Sequence, residues 1–157
     1  MLKIIKVFTA LLMFVIYSAN GEPLKIKDVD KIKQAVVTIS SRISLSAYSD
    51  TGSWYGTGFI ADLEDGIIVT NAHVVGRGTI GTYYVTFHNG RQAEAKPLYY
   101  DAYADFAILR VNADELPTDI EKIKFTDAAP KIGDDVFIVG NAEGQGFSLH
   151  QGYLSDL

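Results

Sequence analysis

A chain of 157 residues is about one domain's worth. Its 14 Lys and Arg stand against 19 Asp and Glu, a formal net charge of −5 with no basic run in the body of the chain. That argues against a nucleic-acid surface, whose affinity rests on neutralising phosphates. With no cysteine, disulfides, thiolate zinc sites and Cys nucleophiles are excluded, and 48% hydrophobic against 21% charged residues excludes a wholly disordered chain.

Met1 to Gly21 reads as an export signal. Lys3 and Lys6 form a positive start, Val7 to Tyr17 is an uncharged apolar run, and Ala19 and Gly21 are small residues at the −3 and −1 places of a cut before Glu22. The run is short for a bilayer, which takes about 20 residues. An uncleaved N-terminal anchor is the competing reading. Cleavage would remove two of the fourteen basic groups and none of the nineteen acidic ones, leaving a charge of −7.

Residues 22–31 then form an N-terminal segment ahead of the main domain, 32–157. Asp28 to Ala35 is expected to make one or two helical turns, with Val29, Ile32 and Lys33 on one face. Strands follow. Ala35–Ser40 is one, the Ser-rich stretch Ser41 to Tyr55 a loop, and Gly58–Ala61 and Ile67–Thr70 a pair joined by the turn Asp62 to Gly66. Tyr83–His88 leads into Asn89-Gly90, a strong hairpin signal. Arg91–Tyr100 returns with Pro97 inside it, which suggests an edge or bulge. Phe106–Val111 is apolar enough to be central, and Asn112–Pro117 is a turn. Ile123–Phe125, Val136–Val139 and Phe147–Leu149 follow, with Gln151–Leu154 continuing past Gly152. Short strands with turns every 8–12 residues or so point to an all-β barrel or sandwich.

Three histidines are present. His88 beside Asn89-Gly90 reads as a surface histidine at a hairpin. His150, with no acid at useful spacing, reads as structural. No metal-binding histidine spacing occurs, so no metal is expected. His73 lies where the apolar run Ile67 to Thr70 ends, a rigid place from which to aim an imidazole. It is either satisfied by nearby backbone or a base. Asp105 directly precedes an apolar strand, where a partly buried carboxylate needs a partner, and an imidazole is a natural one. Asp101 is the better candidate for bonding its own loop.

The segments Gly56-Thr57-Gly58-Phe59-Ile60, Ile68-Val69-Thr70-Asn71-Ala72-His73-Val74-Val75, Ala104-Asp105-Phe106-Ala107-Ile108-Leu109, Ile132-Gly133-Asp134 and Val139-Gly140-Asn141 follow in that order. The order resembles the protease domain of HtrA/DegP-like trypsin-fold serine endopeptidases, over Ile32 to Leu157. The resemblance implies a trypsin-like (chymotrypsin-fold) architecture of two six-stranded β-barrels with the cleft between them. Here the first barrel would be complete and the second truncated. It implies that His73 is the general base and Asp105 its orienting acid, side by side in the first barrel, with Asn71 and Asp101 outside the pair.

In this order of triad the nucleophilic serine comes last. The family carries it in a Gly-Asn-Ser-Gly-Gly segment of the second barrel, and these 157 residues contain none. Neither Ser148 nor Ser155 sits in a Gly-rich tight turn that would present a nucleophile. The segment Asn141-Ala142-Glu143-Gly144 also departs from the family, which has a Pro and an aromatic residue there.

The resemblance implies a serine endopeptidase acting on unfolded or damaged exported proteins. It would be periplasmic or secreted and off the membrane once the signal is cut. Polypeptides would be its partners, it would need no cofactor, and a full-length form could be a homo-oligomer. Without the serine, this chain alone is expected to be inactive. The alternatives are a non-catalytic, protease-derived peptide-binding module and a truncated gene remnant.

Overall fold

From Val36 onward, buried residues recur at every second position, the period that lays one face of a strand against a core. In the computed structural model, which describes residues 14–17, 26–46, 51–76, 79–141 and 147–156, these stretches close into a ring. Helix α1 (Ile26–Ala35) leads into β2 (Val36–Ser46), then β3 (Gly52–Asp62) and β4 (Ile67–Thr70). A one-turn helix, α2 (Ala72–Val75), follows, and β5 (Thr79–Thr86), β6 (Gln92–Asp101) and β7 (Phe106–Val111) complete the set. The order around the closed barrel is β2-β3-β4-β7-β6-β5. Closure comes from β2, which pairs antiparallel on both sides, Ile39 lying opposite Gly56 of β3 and Val85 of β5.

The barrel interior is one apolar cluster. Val37, Ile39, Ile43, Ile60, Ile68, Val85, Leu109 and Val111 are each no more than 2% exposed, and full burial of such a side chain stabilises by about 1.5–3 kcal/mol. Register shifts at Ile43/Leu45, Ile60/Asp62 and Pro97/Tyr99 mark the bulges that bend strands around a barrel. The β3–β4 turn closes on Gly66 at φ +63°, where a Cβ would run into the Val111 carbonyl.

A second sheet of three strands stands beside the barrel. Its middle strand is β8 (Asp135–Gly140), with β9 (Ser148–Tyr153) on one side and β1 (Phe14–Tyr17) on the other. Ile32 and Val36 pack with Val139, Phe147 and Leu149, joining α1 and the start of β2 to this sheet. The Asn141 N–H donates to Thr57 Oγ1 at 2.9 Å, a second tie between sheet and barrel. The architecture is therefore all-β and trypsin-like, with a complete first barrel and only part of a second.

Strand β7 and the Asn89-Gly90 hairpin fall where the sequence places them, and the bulge comes at Pro97. The Ser41 to Tyr55 stretch, expected as a loop, is instead mostly strand, with residues 47–50 outside the described set. Ser41 there is fully buried because its hydroxyl has a carbonyl partner. Ile123–Phe125 forms no strand. It meets the barrel through the bond from Ile123 N–H to the Ile60 carbonyl and the ring contact of Phe125 with Phe59. The two expected pieces 147–149 and 151–154 are one strand, β9. Of the proposed signal, residues 1–13 and 18–21 lie outside the described residues, while Phe14–Tyr17 pairs with β8, Phe14 opposite Val139.

Candidate active site

Strand β4 delivers His73. The strand ends at Thr70, whose hydroxyl donates to the Thr57 carbonyl of β3 at 2.8 Å. The chain then turns once through α2. Four side chains fasten the last carbonyls of that turn, which have no partner within so short a helix. Ser41 Oγ and Trp54 Nε1 donate to the Val74 carbonyl at 2.6 and 2.9 Å. The Tyr83 hydroxyl and Thr79 Oγ1 donate to the Val75 carbonyl at 2.8 and 3.2 Å. On the other side Gly56 lets β3 pass close by, since a Cβ there would stand 2.6 Å from Val74 Cγ1. Donors from β2, β3 and β5 thus hold the platform beneath the imidazole.

Asp105 comes from the β6–β7 connection, at a backbone φ of +50°. Its Oδ2 lies 2.8 Å from His73 Nδ1 and its Oδ1 accepts the His73 N–H at 2.9 Å. A carboxylate only accepts, so the ring proton belongs on Nδ1 and Nε2 is left with its lone pair. The His73 side chain is half-exposed and Nε2 has no hydrogen-bond partner among the described residues. The arrangement can therefore take up a proton at Nε2 and stabilise the resulting imidazolium through Asp105.

Asp101 stands apart as expected, its Oδ1 accepting the Tyr103 and Ala104 N–H groups of its own loop. Asn71 does not stand apart, contrary to the sequence expectation. Its Nδ2 donates to Asp105 Oδ2 at 2.9 Å and to the Asp105 carbonyl at 3.1 Å. The two residues are 34 positions apart, and only the pairing of β4 with β7 brings them together. His88 bonds the Asp119 carbonyl through Nε2 at 2.9 Å, a tie between hairpin and loop. His150 is exposed on β9. Ser148 donates to the Gly140 carbonyl at 3.0 Å from within β9. A cavity of about 340 Å³ opens between barrel and second sheet, walled in part by Lys33, Thr38, His88 and Asn141, and neither His73 nor Asp105 lines it.

The closed antiparallel barrel thus carries a hydrogen-bonded His–Asp pair at the end of one of its strands. Residues 56–157 match the family described as the trypsin-like peptidase domain, and the chain belongs to that family. It is 30% identical over 131 residues to the pro-apoptotic serine protease NMA111 of Yarrowia lipolytica, an overlap covering 82% of this chain and 13% of that protein. It is 39% identical over 104 residues to the protein of the same name in Lodderomyces elongisporus, covering 63% and 10%. The crystal structure of the serine endoprotease from Yersinia pestis superposes with a TM-score of 0.63 at 28% identity, covering 86% of this chain and 46% of that one. The chain thus spans little more than a tenth of these curated relatives.

Proposed function

We propose that this chain supplies the general base and the orienting acid of an HtrA/DegP-like serine endopeptidase, exported to the periplasm or secreted, whose substrates are unfolded or damaged proteins. The observation that carries the reading is the 2.8 Å contact from His73 Nδ1 to Asp105 Oδ2 on a half-exposed ring. In the reaction Nε2 takes the proton of a serine hydroxyl as the oxygen attacks the scissile carbonyl, and returns it to the leaving amine. Water then repeats the cycle on the acyl-enzyme.

The serine is supplied from outside these 157 residues, and the chain by itself does not hydrolyse peptides. Loss of a triad serine alone costs on the order of 10⁶ in kcat, and loss of an oxyanion donor about 10²–10³. Export is supported by Lys3 and Lys6, the apolar run and the small residues at 19 and 21. A second reading, a peptide-binding module without catalysis, is favoured by one observation: β8 accepts the extended segment Phe14–Tyr17 at its edge.

The reading frame beyond codon 157 tests the first reading. A frame that continues into Gly-Asn-Ser-Gly-Gly is expected to encode a casein-degrading enzyme, and His73→Ala should lower its kcat by about 10⁶. Degraded coding sequence downstream, or an extended enzyme indifferent to His73→Ala, would contradict it.

A further inference from the structure

Asn71 occupies the N-cap position of α2, where an Asn side chain ordinarily accepts from the backbone of the first turn. It makes no such bond. The acceptor comes instead from the residue just ahead of the neighbouring strand β7, because Asp105 Oδ1 takes the His73 N–H at 2.9 Å. This exchange frees the Asn71 carboxamide to turn on Asp105. Its Nδ2 donates at 2.9 Å to Oδ2, the oxygen that also faces His73 Nδ1, and at 3.1 Å to the Asp105 carbonyl. Both are acceptors only, so the amino group and not the amide oxygen must face Asp105. One amino group therefore grips main chain and side chain of the same residue. That residue is the sole non-glycine at positive φ among those described. Asn71 is 7% exposed, which leaves little room for water to replace it.

We propose that Asn71 is the positioning residue of the His73–Asp105 pair. Its carboxamide holds Asp105 in the left-handed conformation that aims Oδ2 at Nδ1, and so keeps the neutral imidazole in the Nδ1–H form with Nε2 free to accept. Asp105 is itself partly exposed and, without that grip, turns its carboxylate to water. An unrestrained imidazole prefers the opposite, Nε2–H form, which cannot accept a proton from a hydroxyl at that nitrogen. The inference rests on the reading of His73 as the general base.

The test is nitrogen-15 NMR of the full chain at neutral pH, reading the His73 tautomer and its low-field Nδ1–H resonance. Wild type is compared with Asp105→Asn, Asn71→Leu and Asn71→Ser. Serine is a favoured N-cap residue and can itself cap α2 while falling short of Asp105. Methyl resonances of Ile68 and Leu109 report that the barrel core is intact. The expected result is that both Asn71 variants lose the low-field resonance and shift to the Nε2–H form as fully as Asp105→Asn does. A shift in Asp105→Asn with wild-type spectra in both Asn71 variants would overturn the role of Asn71 and leave the His–Asp pair standing. Wild-type spectra in Asp105→Asn as well would overturn the pair, and the role of Asn71 with it.

Discussion

The Val74 carbonyl shows how much of the site is held by single groups. It is buried at the end of α2 and takes two donors, Ser41 Oγ and Trp54 Nε1. Removing one leaves the carbonyl bonded to the other, so Ser41→Ala or Trp54→Phe should each cost about 1 kcal/mol for the lost hydrogen bond. Removing both strands a buried acceptor, and the double variant should lose a further 1–3 kcal/mol or so beyond the sum. Urea unfolding of the four proteins measures this, and strict additivity would contradict it. Ser41 also marks a limit of reading by residue type. A serine in a polar stretch gives no sign of burial until its partner, 33 positions away, is known. Asn71 escapes for the same reason. Its type and its place before His73 suit a cap, whereas its actual partner comes from the β6–β7 connection, 34 positions away.

At the scale of elements, the β3–β4 turn is closed by one carboxylate. Asp62 Oδ1 accepts the Glu64 and Asp65 N–H groups, and Oδ2 meets Lys122 Nζ at 3.1 Å. The Asp65 backbone bond first, and then Lys122, hold the Asp62 carboxyl below its ordinary range. A carboxyl lowered on folding adds stability above its unfolded pKa, about 3.9 for Asp, and loses it as pH falls through the folded value. Thermal melts of wild type and Asp62→Asn should therefore differ modestly near pH 6 and converge as pH falls below about 4. A gap that stays constant or widens in acid would contradict this. The elements read correctly are those whose pattern is local. Phe106–Val111 is a continuous apolar run, Asn89-Gly90 a turn chemistry, and Pro97 a missing donor. Elements that depend on partners are harder to see. The strands across residues 41–46 and 52–57 carry mostly polar residues, and the pairing of β2 with both β3 and β5 is what makes them strands. Ile123–Phe125 has strand composition, but Phe125 instead meets Phe59 edge-on at 6.0 Å from an irregular segment.

Across the whole molecule, the closeness of His73 and Asp105 was legible because each lies just outside an apolar strand of the closed barrel and because the segments around them resemble those of the family. The second sheet is a different case. Strand β8 takes β9 on one edge and Phe14–Tyr17 on the other, so the segment read as an export leader covers an edge that its removal would bare. Exported material is expected to begin at Glu22 by intact mass, and a species retaining Met1 would defeat that reading. An uncovered edge strand invites pairing with another chain. Residues 22–157 should accordingly self-associate more than the full chain in sedimentation velocity, and equal behaviour would argue that β1 does not shield β8.

Labelling of the purified chain with a fluorophosphonate serine probe, alongside casein turnover, tests most directly whether it holds the base and orienting acid proposed at His73 and Asp105 without a nucleophile. Expected is no labelled serine and no turnover above a heat-denatured control. Labelling of Ser148 or Ser155 that disappears in His73→Ala would show that the nucleophile lies within these residues, and would contradict the claim.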